Sequence, residues 1–576
     1  MPNSSDFNRF AVNPTNIDIS RSLFNMNHSV KFSCNVGEVI PFDVMEVLPG
    51  DTFTVDTSKV IRLQPLVAPI MDEVILDTYW FYVPNRLVWN HWINFMGENT
   101  ESAWTPETEY SVPQIQYPDH GFEIGTIADY MGVPTNVDVT GTTNVETISA
   151  LPFRAYALIC DQWFRSEAVM DPVHVHVDDV TRVGVSSGNQ VTDIELGGKP
   201  FIACKFFDYF TGALPSPQRG EPVSLPLLQP NRWGYHYFPV ISPNSALAEL
   251  PVHPYRAGQE TTDPGIKFNL KYGQSGAIQE FGTDYDIYAS SDGVHVNTIS
   301  TDETKYPNSR LFASNLYAKF NDSLLNSVTV NDLRTAFAIQ KYLEKSARFG
   351  GRYQEFIKGF FGVDSPDARL QRTEYLGGNR LSLNINSVEQ TSATTSGTTP
   401  LGNVAGMSVT GDSNSDFTKS FTEHGYIIGC AVVRYHHSYQ NGIHRGWLRK
   451  NKYEFYNPVF ANLGEQAVKT DEIMFHAGGT FGYQERWAEY RYLPSRVAGE
   501  LRSDASTPLD MWHLGDFYTT EPHLSPEWLR EDKSNLDRCL AVTSDVANQV
   551  ICDFYIETEA SRPMPLYSIP GLIDHH

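Results

Sequence analysis

The sequence predicts a mainly β protein, a β-sandwich or jelly roll that carries long loop insertions and a few short helices. Three observations predict it. Stretches of period-two alternation or continuous apolar character recur toward both ends of the chain, as in His28–Val36, Thr52–Ile61, Tyr426–Tyr435 and Ile551–Ile556, and such runs between turn residues read as strands. Helical periodicity is confined to two dispersed segments. Gly and Pro, the residues that punctuate turns, number 41 and 35 among 576.

In chain order, His28–Val36 places Val30, Phe32, Cys34 and Val36 on one face of a strand. Val39–Val47 and Thr52–Ile61 follow, with Pro49 and Gly50 in a turn between them. Val74–Val83 (VILDTYWFYV) is apolar on both faces, as a strand between two layers must be, and Pro84 ends it. Its aromatic run at 79–82, with Trp89 and Trp92, is read as core or interface packing and not as a sugar-stacking platform. A helix is predicted from about Pro152 to Val169, with proline in its first turn and an apolar stripe of Phe153, Tyr156, Cys160, Trp163 and Phe164. A second is predicted over Asp332–Phe349, capped by Asn331, facing a core with Leu333, Phe337, Leu343 and Ala347, and stopped by Gly350 and Gly351. Residues 178–327 are rich in Pro, Gly, Asn, Asp and Tyr and read as an insertion of short strands and loops. Val388–Asp416, rich in Ser, Thr and Gly, reads as an exposed mobile loop. Strand candidates at both ends enclose this middle, so a single domain over 1–576 is expected, its core built mainly from about 28–177 and 421–560. The segment 562–576 opens with three prolines in eleven residues, which suits neither a helix nor a central strand; it is expected to lie extended across a neighbouring subunit.

Composition narrows the function. Charged residues make up 19% of the chain and aromatics 12%, against about 25% charged in ordinary soluble proteins. Such a chain has much surface that favours burial, and subunit contacts are one way to bury it. The net charge of −25 excludes general nucleic-acid binding over the whole surface, because phosphate recognition needs concentrated Lys and Arg. The six cysteines, 34, 160, 204, 430, 539 and 552, stand apart without a CxxC pair and read as buried thiols made in a reducing cytoplasm. The N-terminal MPNSSDFNRF has no basic-then-apolar leader pattern, and the longest apolar runs, such as Ile427–Val433, are too short to cross a bilayer, so no membrane insertion is expected.

Several strings are more specific. DTYWFYVPNRLVWNHWINFMGE (77–98), LPFRAYALICDQWFR (151–165), YLGGNRLSLNINSVEQTSA (375–393), GYIIGCAVVRYHHSYQNGIHRGWLRKNKYEFYNPVFANLGEQAV (425–468), FGYQERWAEYRYLPSRVAGE (481–500) and RPMPLYSIPGL (562–572) resemble the major capsid protein of the Microviridae, in particular the gokushoviruses. The matches run in order and leave mainly 178–320 and 394–420 unmatched. The resemblance implies an eight-stranded antiparallel jelly roll forming a T=1 icosahedral shell around circular single-stranded DNA. It also implies a variable insertion projecting near the threefold axis and contacting a host surface receptor, for which 178–320 is the candidate. Implied partners are further copies of the chain, a small basic packaging protein, a DNA pilot protein and an internal scaffolding protein. The implied location is the virion, assembled in the bacterial host cytoplasm.

Signs of chemistry are few. GxSxG, HExxH, Walker A and GxGxxG are all missing, so no catalytic residue and no cofactor is predicted. A polysaccharide hydrolase would need a cleft with paired carboxylates, and a carbohydrate- or receptor-binding adhesin would form a fibre or trimer. VHVHVDD (173–179) would put His174, His176 and Asp178 on one face of a strand, a ligand mix that suits a divalent metal; the alternative, taken as the reading, is a polar face opposite Val173, Val175 and Val177. Arg434–Lys452 holds Arg434, Arg445, Arg449, Lys450 and Lys452 with no acid, interleaved with Tyr435, Tyr439, His444 and Trp447. Cations along phosphates and rings on bases suit a single strand, making these five the candidate nucleic-acid contacts. The alternative is that the arginines pair with Asp and Glu across subunit interfaces. The cluster Lys341, Lys345, Arg348, Arg352 and Lys358, diluted by Glu344 and Glu355, reads as a solvated face.

Overall fold

A computed structural model describes residues 21–96, 108–141, 146–220, 371–391, 402 and 404–567, together with short strands between 267 and 313 and the helix Val330–Phe349. Eight strands carry the main body: β1 (His28–Cys34), β2 (Ile40–Val47), β3 (Thr52–Leu63), β4 (Val74–Pro84), β5 (Glu374–Ser382), β6 (Thr410–Ser420), β7 (Gly425–Tyr435) and β8 (Val550–Arg562). They form two antiparallel sheets, ordered β1-β8-β3-β6 and β5-β4-β7-β2, with Ser22–Asn25 also pairing β8. The central pairings are long: β8 matches β3 from Val550↔Leu63 to Ser561↔Thr52, and β7 matches β4 from Gly425↔Pro84 to Tyr435↔Val74.

Burial follows from side-chain alternation. In the first sheet, Phe53, Val55, Ile61, Val550, Cys552, Phe554 and Ile556 point inward, while Val60, Ile551 and Tyr555 stay exposed. The second sheet is covered on both sides. Trp80, Tyr82, Ile427 and Val433 join the core shared with the first sheet. Phe81, Val83, Ile428, Cys430 and Val432 pack instead with Phe153, Tyr156, Ile194 and Phe201. The second sheet is therefore a middle layer, which is why β4 reads as apolar on both faces.

Close packing leaves no room at one point of this layer. A Cβ at Gly429 would sit 2.6 Å from Phe42 Cζ and 2.9 Å from Trp80 Cζ3, two rings already in edge contact at 5.1 Å. Gly429→Val is expected to destabilise the subunit by about 1–3 kcal/mol, the usual cost of overpacking. Urea unfolding checks this, and an unchanged midpoint would contradict it.

Helix Leu151–Ile159 begins with Pro152 in its first turn and buries Leu151, Phe153, Ala155, Tyr156, Ala157 and Ile159. It is shorter than predicted. A single π turn over Cys160–Phe164 follows, and Arg165 is already extended. The second predicted helix spans Val330–Phe349; Phe337, expected to face a core, is 58% exposed.

Two boundaries are corrected. The insertion was expected to begin at 178, but 178–220 packs with the main body: Val39 N–H donates to Phe201 O at 2.8 Å, and Tyr156 Oη, which donates to Val39 O at 2.6 Å, accepts from Phe201 N–H at 3.2 Å. The separate compact unit is 223–340. Its Lys267–Tyr272 pairs antiparallel with Gln279–Glu280, Tyr285–Ala289 and Arg310–Ala313, and Tyr285–Ala289 pairs with Val296–Thr298. The Pro/Gly texture misplaced the boundary because 178–220 packs as irregular chain: few of its residues are in strands, yet Ile194, Phe201 and Ala203 are buried.

The expected mobile loop 388–416 is corrected as well. Val404–Ser408 pairs with Ile385–Glu389, and β6 pairs with β3 along its whole length, from Thr410↔Ile61 to Ser420↔Thr52. The low apolar content has a physical cause. The outer face of β6 is wet, and its hydroxyls meet those of β3, with Ser413 against Ser58 at 2.9 Å and Ser420 against Thr52 at 2.8 Å. The inner face carries Asp412 and Asp416 beside Lys59, whose side chain is fully buried. Residues 392–401 and 403 of that segment lie outside the described residues.

Candidate genome-contact and subunit-contact surface

The five predicted nucleic-acid contacts fall into two groups. Arg434 lies near the end of β7, facing the layer away from the first sheet. Its Nη2 donates to Asp77 Oδ2 at 2.7 Å and to Tyr79 Oη at 2.9 Å. Arg380, on β5, donates to the other Asp77 oxygen at 2.7 Å. The register explains the meeting: Arg380 stands directly opposite Asp77 across β5–β4, and Val432, two residues before Arg434, stands opposite it across β7–β4. Both guanidinium groups also lie over the Phe206 ring, at 4.9 and 4.2 Å. Burial alone would raise the Asp77 pKa, but the hydrogen bonds and charges of Arg380 and Arg434 outweigh it and hold it below the ordinary value.

Arg445 and Arg449 are equally committed. Arg445 Nη1 donates to Ala467 O at 2.6 Å and to Glu472 Oε1 at 3.2 Å. Arg449 Nη2 donates to Glu489 Oε1 at 3.3 Å, and its guanidinium lies 4.2 Å from the Tyr490 ring centre. Glu472 and Glu489 are almost fully covered. The three arginines thus pair with carboxylates of their own chain. Within the single chain, the acids that Arg434, Arg445 and Arg449 meet are Asp77, Glu472 and Glu489. The local absence of acids said nothing about carboxylates brought in from distant strands and turns.

Lys450 and Lys452 differ. Both are exposed, and among the described residues neither has a carboxylate at ion-pair distance. Lys452 Nζ lies 5.0 Å from the Tyr453 ring centre. They sit on a chain of short 3-10 turns, Arg445–Leu448, Lys452–Glu454 and Pro458–Phe460. Each turn is capped by the residue before it: His444 accepts from Gly446 N, Asn451 forms a reciprocal cap with Glu454, and Asn457 accepts from Val459 N. The same stretch displays Trp447, 80% exposed, and Val459, 83% exposed.

A charged knot that the sequence reading missed lies just past β7. His437 Nδ1 is 3.0 Å from Asp516 Oδ2, and Nε2 is 2.9 Å from Glu531 Oε2. Lys205 Nζ is 3.7 Å from Asp516, and Tyr518 Oη donates to the same carboxylate at 3.1 Å. Burial pushes the His437 pKa down, but the two carboxylates more than offset this and raise it to about 9. Burial likewise pushes Asp516 up, but the charges of His437 and Lys205 overcome it and hold this carboxyl low.

The metal candidate does not assemble. Residues 173–177 are not a strand, so His174, His176 and Asp178 gain no common face. The His176 ring is bonded to Glu195, and both Asp178 oxygens accept from Arg182, at 2.7 and 2.8 Å. Among the described residues no group of three or more His, Cys, Asp or Glu is arranged to hold an ion. The aromatic run at 79–82 is core: Trp80 is fully buried, with Phe81 and Tyr82 nearly so. No described helix is long and apolar enough to cross a membrane.

Comparison with known proteins gives the family of the chain. A family model described as "Capsid protein (F protein)" matches residues 13–572. The chain is 39% identical to "Capsid protein VP1" of Spiroplasma virus 4, over 98% of this chain and 97% of that protein. It is 37% identical to "Capsid protein VP1" of Chlamydia phage 1, over 98% of both. It is 36% identical to "Capsid protein VP1" of Bdellovibrio phage phiMH2K, over 98% of this chain and 97% of that protein. With its mainly β, antiparallel architecture and its full-length matches, the chain belongs to the phage capsid protein (F protein) family, as a structural, gokushovirus-type capsid protein of the Microviridae and a component of the virion.

Proposed function

We propose that this chain folds as an eight-stranded jelly roll and assembles into a T=1 icosahedral shell that encloses a circular single-stranded DNA genome. The observation that carries the reading is the strand order. Numbered along the chain, the two sheets run 1-8-3-6 and 5-4-7-2, so the first strand lies beside the last and each sheet draws on both ends of the sequence. Jelly rolls, built from two Greek keys, recur in viral capsids. The residues between β4 and β5 and between β7 and β8 supply the long connections.

In this reading 223–340 is the outward projection near the threefold axis and meets the host receptor. Its separation as a compact unit supports that role. The net charge of −25 opposes enclosing a polyanion, and Arg434, Arg445 and Arg449 are engaged within the chain. A small basic packaging protein therefore supplies most of the countercharge. An internal scaffolding protein and a DNA pilot protein complete the set, with assembly in the bacterial cytoplasm. The segment 562–576 reaches across a neighbouring copy; Met564, Leu566 and Tyr567 are exposed at its start, as such a role requires.

Replacing 223–340 by a short Gly/Ser linker tests the reading. Particles from that variant are expected to keep nuclease-protected single-stranded DNA and to lose attachment to host cells. Loss of particles altogether, or attachment retained, would contradict it.

A further inference from the structure

We infer that the aromatic, lysine-bearing surface of residues 445–463 docks onto an acidic area of a second copy of this chain. The inference rests on the capsid reading and goes beyond it by naming the surface. Trp447, Tyr453, Phe455, Tyr456, Val459 and Leu463 are between 46% and 83% exposed within this one short stretch. Scattered exposed apolar residues are ordinary, but a concentration of this kind marks a contact. Trp and Tyr are also the residue types that anchor interfaces.

The surface is held in shape before any partner arrives. Arg449 is fixed by Glu489 and lies over the Tyr490 and Phe455 rings, at 4.2 and 5.4 Å. Tyr456 N–H donates to Tyr490 Oη at 3.1 Å, and Trp487 Nε1 donates to Phe460 O at 3.0 Å. A rigid platform loses little conformational entropy on docking.

Charge identifies the occupant. Two copies at −25 each repel, so a stable contact needs a locally cationic area meeting an acidic one. Here Lys450 and Lys452 are exposed without ion-pair partners among the described residues, and the acid nearest them in sequence, Glu454, is occupied by the backbone amides of Lys450 and Asn451. A cationic patch is not complementary to itself, so the contact is heterologous, the type that closes into rings. A DNA strand would satisfy the lysines and the rings, but the exposed aliphatics Val459 and Leu463 give bases and phosphates nothing to bind. A protein surface uses them.

The test compares the full chain with Trp447→Ala/Val459→Asp and with Lys450→Glu/Lys452→Glu, following assembly by light scattering and sedimentation, subunit folding by thermal melt, and particle DNA by nuclease protection. Melts are expected to match the wild type. The subunit concentration for half assembly is expected to rise roughly tenfold or more in each variant. If the first variant fails to fold, the lysine variant, altered only at exposed side chains, decides alone. Wild-type-like assembly overturns the docking inference, and normal shells depleted of DNA overturn it in favour of a strand-binding surface. A wild-type chain that forms no particles overturns the capsid reading itself, and the docking with it.

Discussion

Asp77→Ala is expected to cost the folded subunit about 3–5 kcal/mol, because removing one partner of a buried ion pair leaves the other charge unpaired. The Asp77 side chain is 3% exposed and that of Arg434 12%. In the variant, Arg434 keeps Tyr79 Oη, Cys204 O and the Phe206 ring among the described residues. Arg380, 57% exposed, turns to water at little cost. Arg434→Gln is expected to be milder, since Asp77 still receives two hydrogen bonds from Arg380. Urea unfolding of soluble subunits measures both. A loss under about 1 kcal/mol for Asp77→Ala, the range of surface pairs, would contradict a structural role. The same variant separates a structural role from genome contact: particles of Arg434→Gln are expected to melt earlier, with unchanged nuclease-protected DNA content.

His437→Gln is expected to lower stability by roughly 3 kcal/mol near pH 6, with the deficit vanishing above about pH 9. The sign follows from the raised pKa. The folded state holds the His437 proton up to about pH 9, whereas the unfolded chain releases it near 6.5. The stabilisation is therefore complete below about pH 6.5 and is lost as pH rises through 9. Above that, neutral His437 sits between Asp516 and Glu531 much as Gln would. His28, also raised to about 9 by Asp43, titrates in the same window, but its side chain is 37% exposed and solvent weakens its effect. His28→Gln is thus expected to leave most of the alkaline loss in place. Denaturant unfolding from about pH 6 to about pH 10 checks both. Parallel curves for His437→Gln and the wild type would show that His437 is not the group responsible.

What the sequence made legible was what alternation and composition encode. Val74–Val83 was readable as a strand between two layers because no residue pattern in it favours either face, and Phe81 and Trp80 do fall into different cores. Strand character at both ends was equally plain. β6 was not, because a strand with one wet face and a polar inner network around Lys59 has the composition of a loop. The arginine pairs were hidden for another reason. Arg434 is 357 residues from Asp77 in the chain, and no local window contains both. One signal was present: Asp77 is the single charge in VILDTYWFYV, and a charge within a doubly buried strand requires a partner. His437 carried less, since nothing near it in sequence announces Asp516 or Glu531.

Negative-stain electron microscopy of the purified protein tests the central claim most directly. The account predicts uniform small icosahedral particles. A preparation that shows only soluble monomers, or fibres and trimers, would contradict it.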